Sequence, residues 1–291
     1  MAPAPLPAPR LSNALVGAAW MLLAAFCGSL IDACVKALQD GYGTPQIVLL
    51  RLLFSLPTVL LVAWASGDLR DIRPRRWRWH LLRACCASGA TFGFFYALGE
   101  LSFVLAVTLG FTAPLLIAAL SRPMLGERIG AVRALGIGLG FLGVLVALRP
   151  GSAAWHPAML AVLASALCWA LLALSARRLG TDEPAGAMVL STMPLSLIIA
   201  TVLALPVWVA PSIADLLLFA LVGTCGAGVH YCVVFAYRAA DAGTVAPMEY
   251  SALIWAALLG FLFWGEIPTP ATLAGAAVIV LGGIIVLRAR S

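Results

Sequence analysis

Ten runs of apolar residues, each bounded by a charge, a proline or a polar turn, constrain this chain more than any motif it carries. They cover 14–38, 44–64, 81–98, 101–120, 132–148, 157–176, 185–208, 213–237, 244–264 and 271–287. Each is close to the ~17–25 residues an α-helix needs to cross a bilayer core about 30 Å thick. Lipid offers no water to the backbone, so a spanning segment must bond its own amides as a helix or close into a barrel. No segment alternates polar with apolar residues, which removes the barrel. The expectation is an all-α integral membrane protein with ten transmembrane helices. Composition closes the soluble alternative: 63% of residues are hydrophobic and 10% charged, against about 45–50% and 25% in soluble domains. Globular enzymes, nucleic-acid readers and disulfide scaffolds are excluded on the same ground.

The basic residues test the count independently. With the N-terminus inside, fifteen of the eighteen lysines and arginines fall on the cytoplasmic side, among them Arg70 to Arg83, Arg122, Arg128, Arg133, Arg177 and Arg178. Only Arg149 falls outside, while Lys36 and Arg51 lie within spans. The positive-inside rule therefore predicts both termini in the cytoplasm. The stretch after Arg10 is read as the first span and not as a cleaved leader, because it runs on to Leu38 and Phe26 stands where a cleavage site needs a small residue. The seven cysteines all sit inside apolar runs, without a CxxC pair, and are read as small hydrophobes.

Shifting the chain by 139 residues superposes Gly126-Glu127 on Gly265-Glu266, Gly136 on Gly275, Leu142-Gly143 on Leu281-Gly282 and Leu148-Arg149 on Leu287-Arg288. This predicts two repeats, 14–149 and 157–288, of five spans each. An odd number of spans inverts the second copy. The loop after Glu127 carries arginines and the loop after Glu266 has none, as opposite membrane faces require. Gly138 to Gly143 spells GxGxxG, but inside an apolar span it is read as a close helix contact at Gly136 and Gly140, and Gly275, Gly282 and Gly283 as the equivalent surface.

The stretch Thr112-Ala113-Pro114-Leu115-Leu116, then Leu125-Gly126-Glu127-Arg128 and the glycine-rich span ending in Arg149-Pro150-Gly151, resembles the first EamA repeat of the drug/metabolite transporter superfamily. Glu249-Tyr250 through Trp255 and Gly260 to Trp264-Gly265-Glu266-Ile267-Pro268 resembles the second. The resemblance covers residues 14–288. It implies a multi-pass carrier of the bacterial inner membrane, with two five-helix bundles around a central cavity and the fifth and tenth helices peripheral. Export is favoured on this resemblance alone.

Charges at membrane depth cost about 2.5–3.5 kcal/mol each and face a cavity or a partner. Asp32 and Lys36, four apart, share one face of the first span, and Arg51 should reach the same level from the second. Two readings stay open: a neutralising Asp32–Arg51 pair with Lys36 snorkelling to water, or a lining for the solute path. Glu249, two residues after the helix-breaking Pro247, and His230 are candidates for proton coupling. Tyr96 and Tyr250 join Asp32, Lys36 and Arg51 as candidate solute contacts, because a buried phenol needs a partner. Pro114, Glu127, Pro247 and Glu266 are candidate gates or hinges. The expected function is secondary active transport, as an exporter, of a small polar or zwitterionic metabolite, amino-acid-like or of the opine metallophore type. The alternative is import of a vitamin or nucleoside-type cofactor such as riboflavin. A structural or channel subunit and an intramembrane enzyme are weaker rivals. No catalytic residue, cofactor, metal or nucleic acid is expected; the partners are a solute, the bilayer and, as an open question, a second copy in a homodimer.

Overall fold

The computed structural model describes residues 11–65, 75–127, 129–153, 155–179, 190–240 and 242–289, and all regular structure in them is helical. In chain order the helices are α1 (Leu11–Leu38), α2 (Thr44–Ala65), α3 (Trp77–Glu100), α4 (Phe103–Gly110), α5 (Thr112–Leu125), α6 (Ala131–Leu148), α7 (Ala158–Leu179), α8 (Thr192–Ala204), α9 (Ile213–Ala239), α10 (Ala242–Glu249), α11 (Ala252–Trp264) and α12 (Pro270–Arg288). A single 3₁₀ turn, Leu205–Val207, extends α8. With α4 and α5 taken together, and likewise α10 and α11, eight helices are long and apolar enough to cross a membrane, and 192–207 and 213–226 form two shorter apolar helices. Leu135, Ile198, Leu217, Ile254 and Leu262 on their outer faces are all exposed, as expected of side chains that meet lipid.

Two of the predicted runs are broken helices. Pro114 is the third residue of α5, where its missing N–H costs nothing because the first amides of any helix lack intrahelical partners. Its ring conflicts with the carbonyl four residues earlier, so α4 stops at Gly110 and the chain restarts after Phe111. In the second run the break follows Pro247: Tyr250 N donates to Pro247 O at 3.3 Å and Ser251 N to Met248 O at 3.1 Å, tight turns that end α10 directly after Glu249. The two break residues, Phe111 and Tyr250, stand 139 positions apart, and their rings pack at 4.9 Å between centroids.

The glycine surface predicted on the fifth and tenth runs joins α6 to α12, the most extensive helix pair in the molecule. A Cβ on Gly143 would lie 2.7 Å from Ile279 N, and one on Gly282 would lie 2.6 Å from Gly140 N. Only bare backbone allows that approach. Next in extent come α3 with α7 and α1 with α9, so early and late helices interleave instead of forming separate bodies. Buried residues of α1 to α9, α11 and α12 contribute to one apolar core. The third run begins four residues earlier than its hydropathy suggested. That draws His80 into α3, where it is buried, and sets Arg83, counted from sequence as a cytoplasmic-side charge, two turns inside the helix, where it is buried too.

Candidate functional site

Interleaving brings Asp32 of α1, Arg51 of α2 and Glu249, the last residue of α10, to one central cavity of about 450 Å³. Its remaining wall mixes small aliphatic residues with aromatic and hydroxyl ones: Phe94, Phe95 and Thr91 from α3, Phe111 and Pro114 from the first helix break, and Ser165 and Trp169 from α7. The Arg51 guanidinium carbon lies 5.2 Å from the centre of the Phe95 ring, within cation–π reach. Asp32 and Arg51 influence each other electrostatically. Among the described residues, however, no ion pair or hydrogen bond joins them. Both nevertheless line the same cavity.

Arg51 also lines a second chamber of about 330 Å³, walled by α2, α3, α7, α8 and α9. Among the described residues its other charged lining residue is Arg83, with Ser55, Ser88, Thr91, Thr192 and Ser196 supplying hydroxyls. Arg83 Nη1 donates to Leu172 O and to Ser175 Oγ, both at 3.0 Å. Sequence reasoning missed this residue because it counted Arg83 as a topological charge. The signal available was the polar face Arg83, Ser88 and Thr91 within the membrane-deep part of α3.

Lys36 does not reach the central cavity. Its Nζ donates to Leu98 O at 3.0 Å and Leu101 O at 2.6 Å, lies 3.1 Å from Glu266 Oε1 and sits 5.5 Å over the Trp264 ring. Glu266 Oε2 in turn accepts from Phe103 N at 2.6 Å. The junction between α3 and α4 is thus held by a cation at the carbonyl end of α3 and an anion at the amide end of α4, the signs that both helix dipoles favour. Gly265, at φ +64°, makes this geometry by ending α11 in the left-handed region and turning Glu266 back.

The equivalent Gly126, at φ +75°, ends α5 and presents Glu127. There Arg177 Nη2 donates to Glu127 Oε1 at 2.5 Å and Arg133 Nη1 lies 3.5 Å from Oε2. Partial burial alone would raise the Glu127 carboxyl, but Arg177, Arg133 and a Ser121 hydrogen bond outweigh it and hold the group below the ordinary value of 4.5. Both motif glutamates therefore tie one half of the chain to the other: Glu266 to α1, and Glu127 to α7.

The remaining candidates separate. Tyr96 is 43% exposed and lines a third cavity of about 440 Å³ with Tyr42, Glu100 and Glu266. Tyr250 packs on Phe111 and above Gly283, where any Cβ would collide with its hydroxyl. Pro247 stays within α10. His230 lies in α9, with its side chain outside the described residues. No cluster of potential metal ligands occurs among the described residues.

Comparison with known proteins identifies the family. The chain is 31% identical to the riboflavin transporter of Rhizobium johnstonii, over 95% of this chain and 92% of that protein. It is 24% identical to the S-adenosylmethionine uptake transporter of Rickettsia bellii, over 91% of each, and 26% identical to that of Rickettsia prowazekii, over 93% of this chain and 92% of the relative. A solved crystal structure, 20% identical, shares the fold with a TM-score of 0.61, covering 95% of this chain and 96% of the other. The model of the EamA-like transporter family matches twice, at residues 15–149 and 156–288. These matches span nearly the whole chain, which is a multi-pass membrane protein and belongs to the EamA-like transporter family.

Proposed function

We propose that this transporter is a secondary active carrier that takes up a flat-ringed, amino-acid-derived metabolite of the S-adenosylmethionine kind across a bacterial inner membrane. One observation carries the substrate class: two carboxylates, Asp32 and Glu249, and one guanidinium, Arg51, line a single aromatic-walled cavity. That set complements a solute with two cationic centres, one carboxylate and a ring to stack, as a sulfonium amino acid joined to adenine offers. The Rickettsia relatives, named as S-adenosylmethionine uptake transporters, support both the class and the uptake direction, in preference to the export suggested by the sequence alone. Riboflavin, named for the Rhizobium relative, is the second reading, favoured by the aromatic side chains of the wall.

The carrier works by alternating access between two inverted five-helix repeats, 14–149 and 157–288, with both termini in the cytoplasm. Contact symmetry supports this. Under the 139-residue shift α3 with α7 exchanges with α9 with α1, and α6 with α12 maps onto itself. The two glutamate ties, Glu266 to Lys36 and Glu127 to Arg177, are opposite latches that break in turn, and the breaks at Pro114 and Pro247 are the hinges. Glu249, beside its helix break, couples proton movement to transport together with His230.

The test is flux into proteoliposomes loaded with a pH gradient. Labelled S-adenosylmethionine should accumulate, riboflavin should not, and Glu249→Gln should lose the pH-driven component altogether while exchange of internal for external solute is weakened but still measurable. Accumulation of riboflavin alone would replace the first reading by the second.

A further inference from the structure

The cavity that Tyr96 lines stacks on the central one. Along α1 the lining passes from Asp32 in the central cavity to Lys36 in the outer, and along α3 from Phe95 to Gly99, four residues or about 6 Å in each case. With volumes of about 450 and 440 Å³, a solute that fits one fits the other. Lys36 stands at the inner limit of the outer lining on α1, its charge already spent on Glu266 and on the carbonyls of Leu98 and Leu101. Against that single ammonium the described lining holds three carboxylates, Asp40, Glu100 and Glu266, which leaves two negative charges in excess. Among the described residues Asp40 has no ion-pair partner, and Glu100 has only His156 Nε2 at 3.9 Å, beyond hydrogen-bond reach. Gln39 lines the same cavity: its Nε2 donates to Phe95 O, while its Oε1, buried against Gly99, accepts no hydrogen bond.

We propose that this outer cavity is a first binding station for a cationic, ring-bearing solute, occupied before the tie between Lys36 and Glu266 releases. The cationic centre settles by Asp40 and Glu100, and the ring stacks on Tyr96, whose side chain is open to the cavity mouth. The unpaired oxygen of Gln39 is an acceptor left for a donor that the solute brings. Excess negative charge in a cleft raises the local concentration of cations and repels anions, and that attraction weakens with salt. Stacking on Tyr96 is not screened in this way. Among the described residues no arginine lines the outer cavity, so it reads the cation and the ring and has no fork for a carboxylate. Arg51 adds that recognition one helical turn deeper. The bland alternative, that Asp40 and Glu100 only solvate a helix end, gives them no influence on the solute at all.

This inference rests on the cationic solute and the topology proposed above, and its test separates the two. Initial uptake of labelled S-adenosylmethionine is measured over a concentration series in right-side-out and inside-out membrane vesicles carrying the full chain, at about 50 mM and about 500 mM salt. In right-side-out vesicles at low salt, Asp40→Asn combined with Glu100→Gln should raise KM about 10-fold, the low end of what a charge-lined cleft gains, and hold Vmax within about 2-fold. High salt should cut that rise to about 2-fold. Both carboxylates are exposed, so the pair of substitutions leaves the fold intact. Tyr96→Ala should raise KM about 5-fold at either salt, the effect of one lost stacking contact, and Tyr96→Phe, which keeps the ring, should recover most of it. Inside-out vesicles should show none of these rises. No rise in right-side-out vesicles, a rise equal from both faces or confined to inside-out vesicles, or a rise of the double variant that high salt leaves intact overturns the outer station while the carrier reading stands. Failure of the wild type to take up the label in either orientation overturns both.

Discussion

The tie between Lys36 and Glu266 makes the sharpest energetic prediction. Lys36 and Glu266 side chains are 9% and 19% exposed at a separation of 3.1 Å, so each charge depends on the other. Removing one partner of a fully buried pair costs about 3–5 kcal/mol. The residual exposure of Glu266, and the carbonyls that still hold Lys36, reduce this to about 2–3 kcal/mol for Glu266→Gln. Gln can keep the Phe103 N–H bonded, so the loss is the charge alone. Lys36→Met removes the cation and leaves Glu266 to its amide donor, at about 2 kcal/mol. The double variant should cost less than the two together by about 1.5 kcal/mol, since neither charge remains uncompensated. The assay is unfolding of the purified chain in mixed micelles across a denaturing-detergent series, with all four members of the cycle at one pH. A coupling below about 0.3 kcal/mol would refute the reasoning and reduce the contact to a surface pair.

Three other perturbations have defined outcomes. Gly282→Leu should separate α6 from α12 and lower membrane abundance severely, because its Cβ alone meets Gly140 N at 2.6 Å, whereas Gly138→Leu, with open space at its Cβ, should express like the wild type; equal expression of the two would contradict the packing. Glu127 is held below 4.5, so its contribution is complete above the unfolded value and fades as pH falls through the lower folded one; stability measured from pH 7 to pH 3 should show Glu127→Gln flattening that acid limb, and an unchanged slope would remove the carboxylate from the tie. A reporter active only in the periplasm, fused after Ser291, should stay silent, and strong activity would overturn the ten-span reading.

Much of this molecule is written locally. Hydropathy marks where helices run, and Pro114 marks a break, because the ring conflict that stops α4 at Gly110 is a matter of five consecutive residues, whereas Pro57 sits inside a continuous α2. The repeated Gly-Glu pair foretells two like turns, since a left-handed residue is needed wherever a helix ends and its next carboxylate folds back. What lies beyond sequence reasoning is contact between distant segments. Lys36 and Glu266 are 230 positions apart, and the helical period places Lys36 on the face of Asp32 without saying that its longer side chain turns toward the end of α3. The phenol of Tyr250 illustrates the same limit: its burial was legible, but not that Phe111 and Gly283 supply its surroundings. Arg83 was misjudged because the positive-inside count treats every arginine near a helix end as water-facing, while α3 begins at Trp77 and carries it inward.

Counterflow of labelled S-adenosylmethionine in proteoliposomes, with membrane abundance recorded for each variant, tests the central claim most directly, because exchange needs no driving force and reads the site alone. The wild type should exchange the label. Arg51→Lys should fold and exchange slowly, since the charge persists without the fork, and Asp32→Asn combined with Arg51→Gln should be abundant yet inactive. Full exchange by that double variant would contradict the account, leaving Asp32 and Arg51 as structural charges and the cavity between them without its ligand.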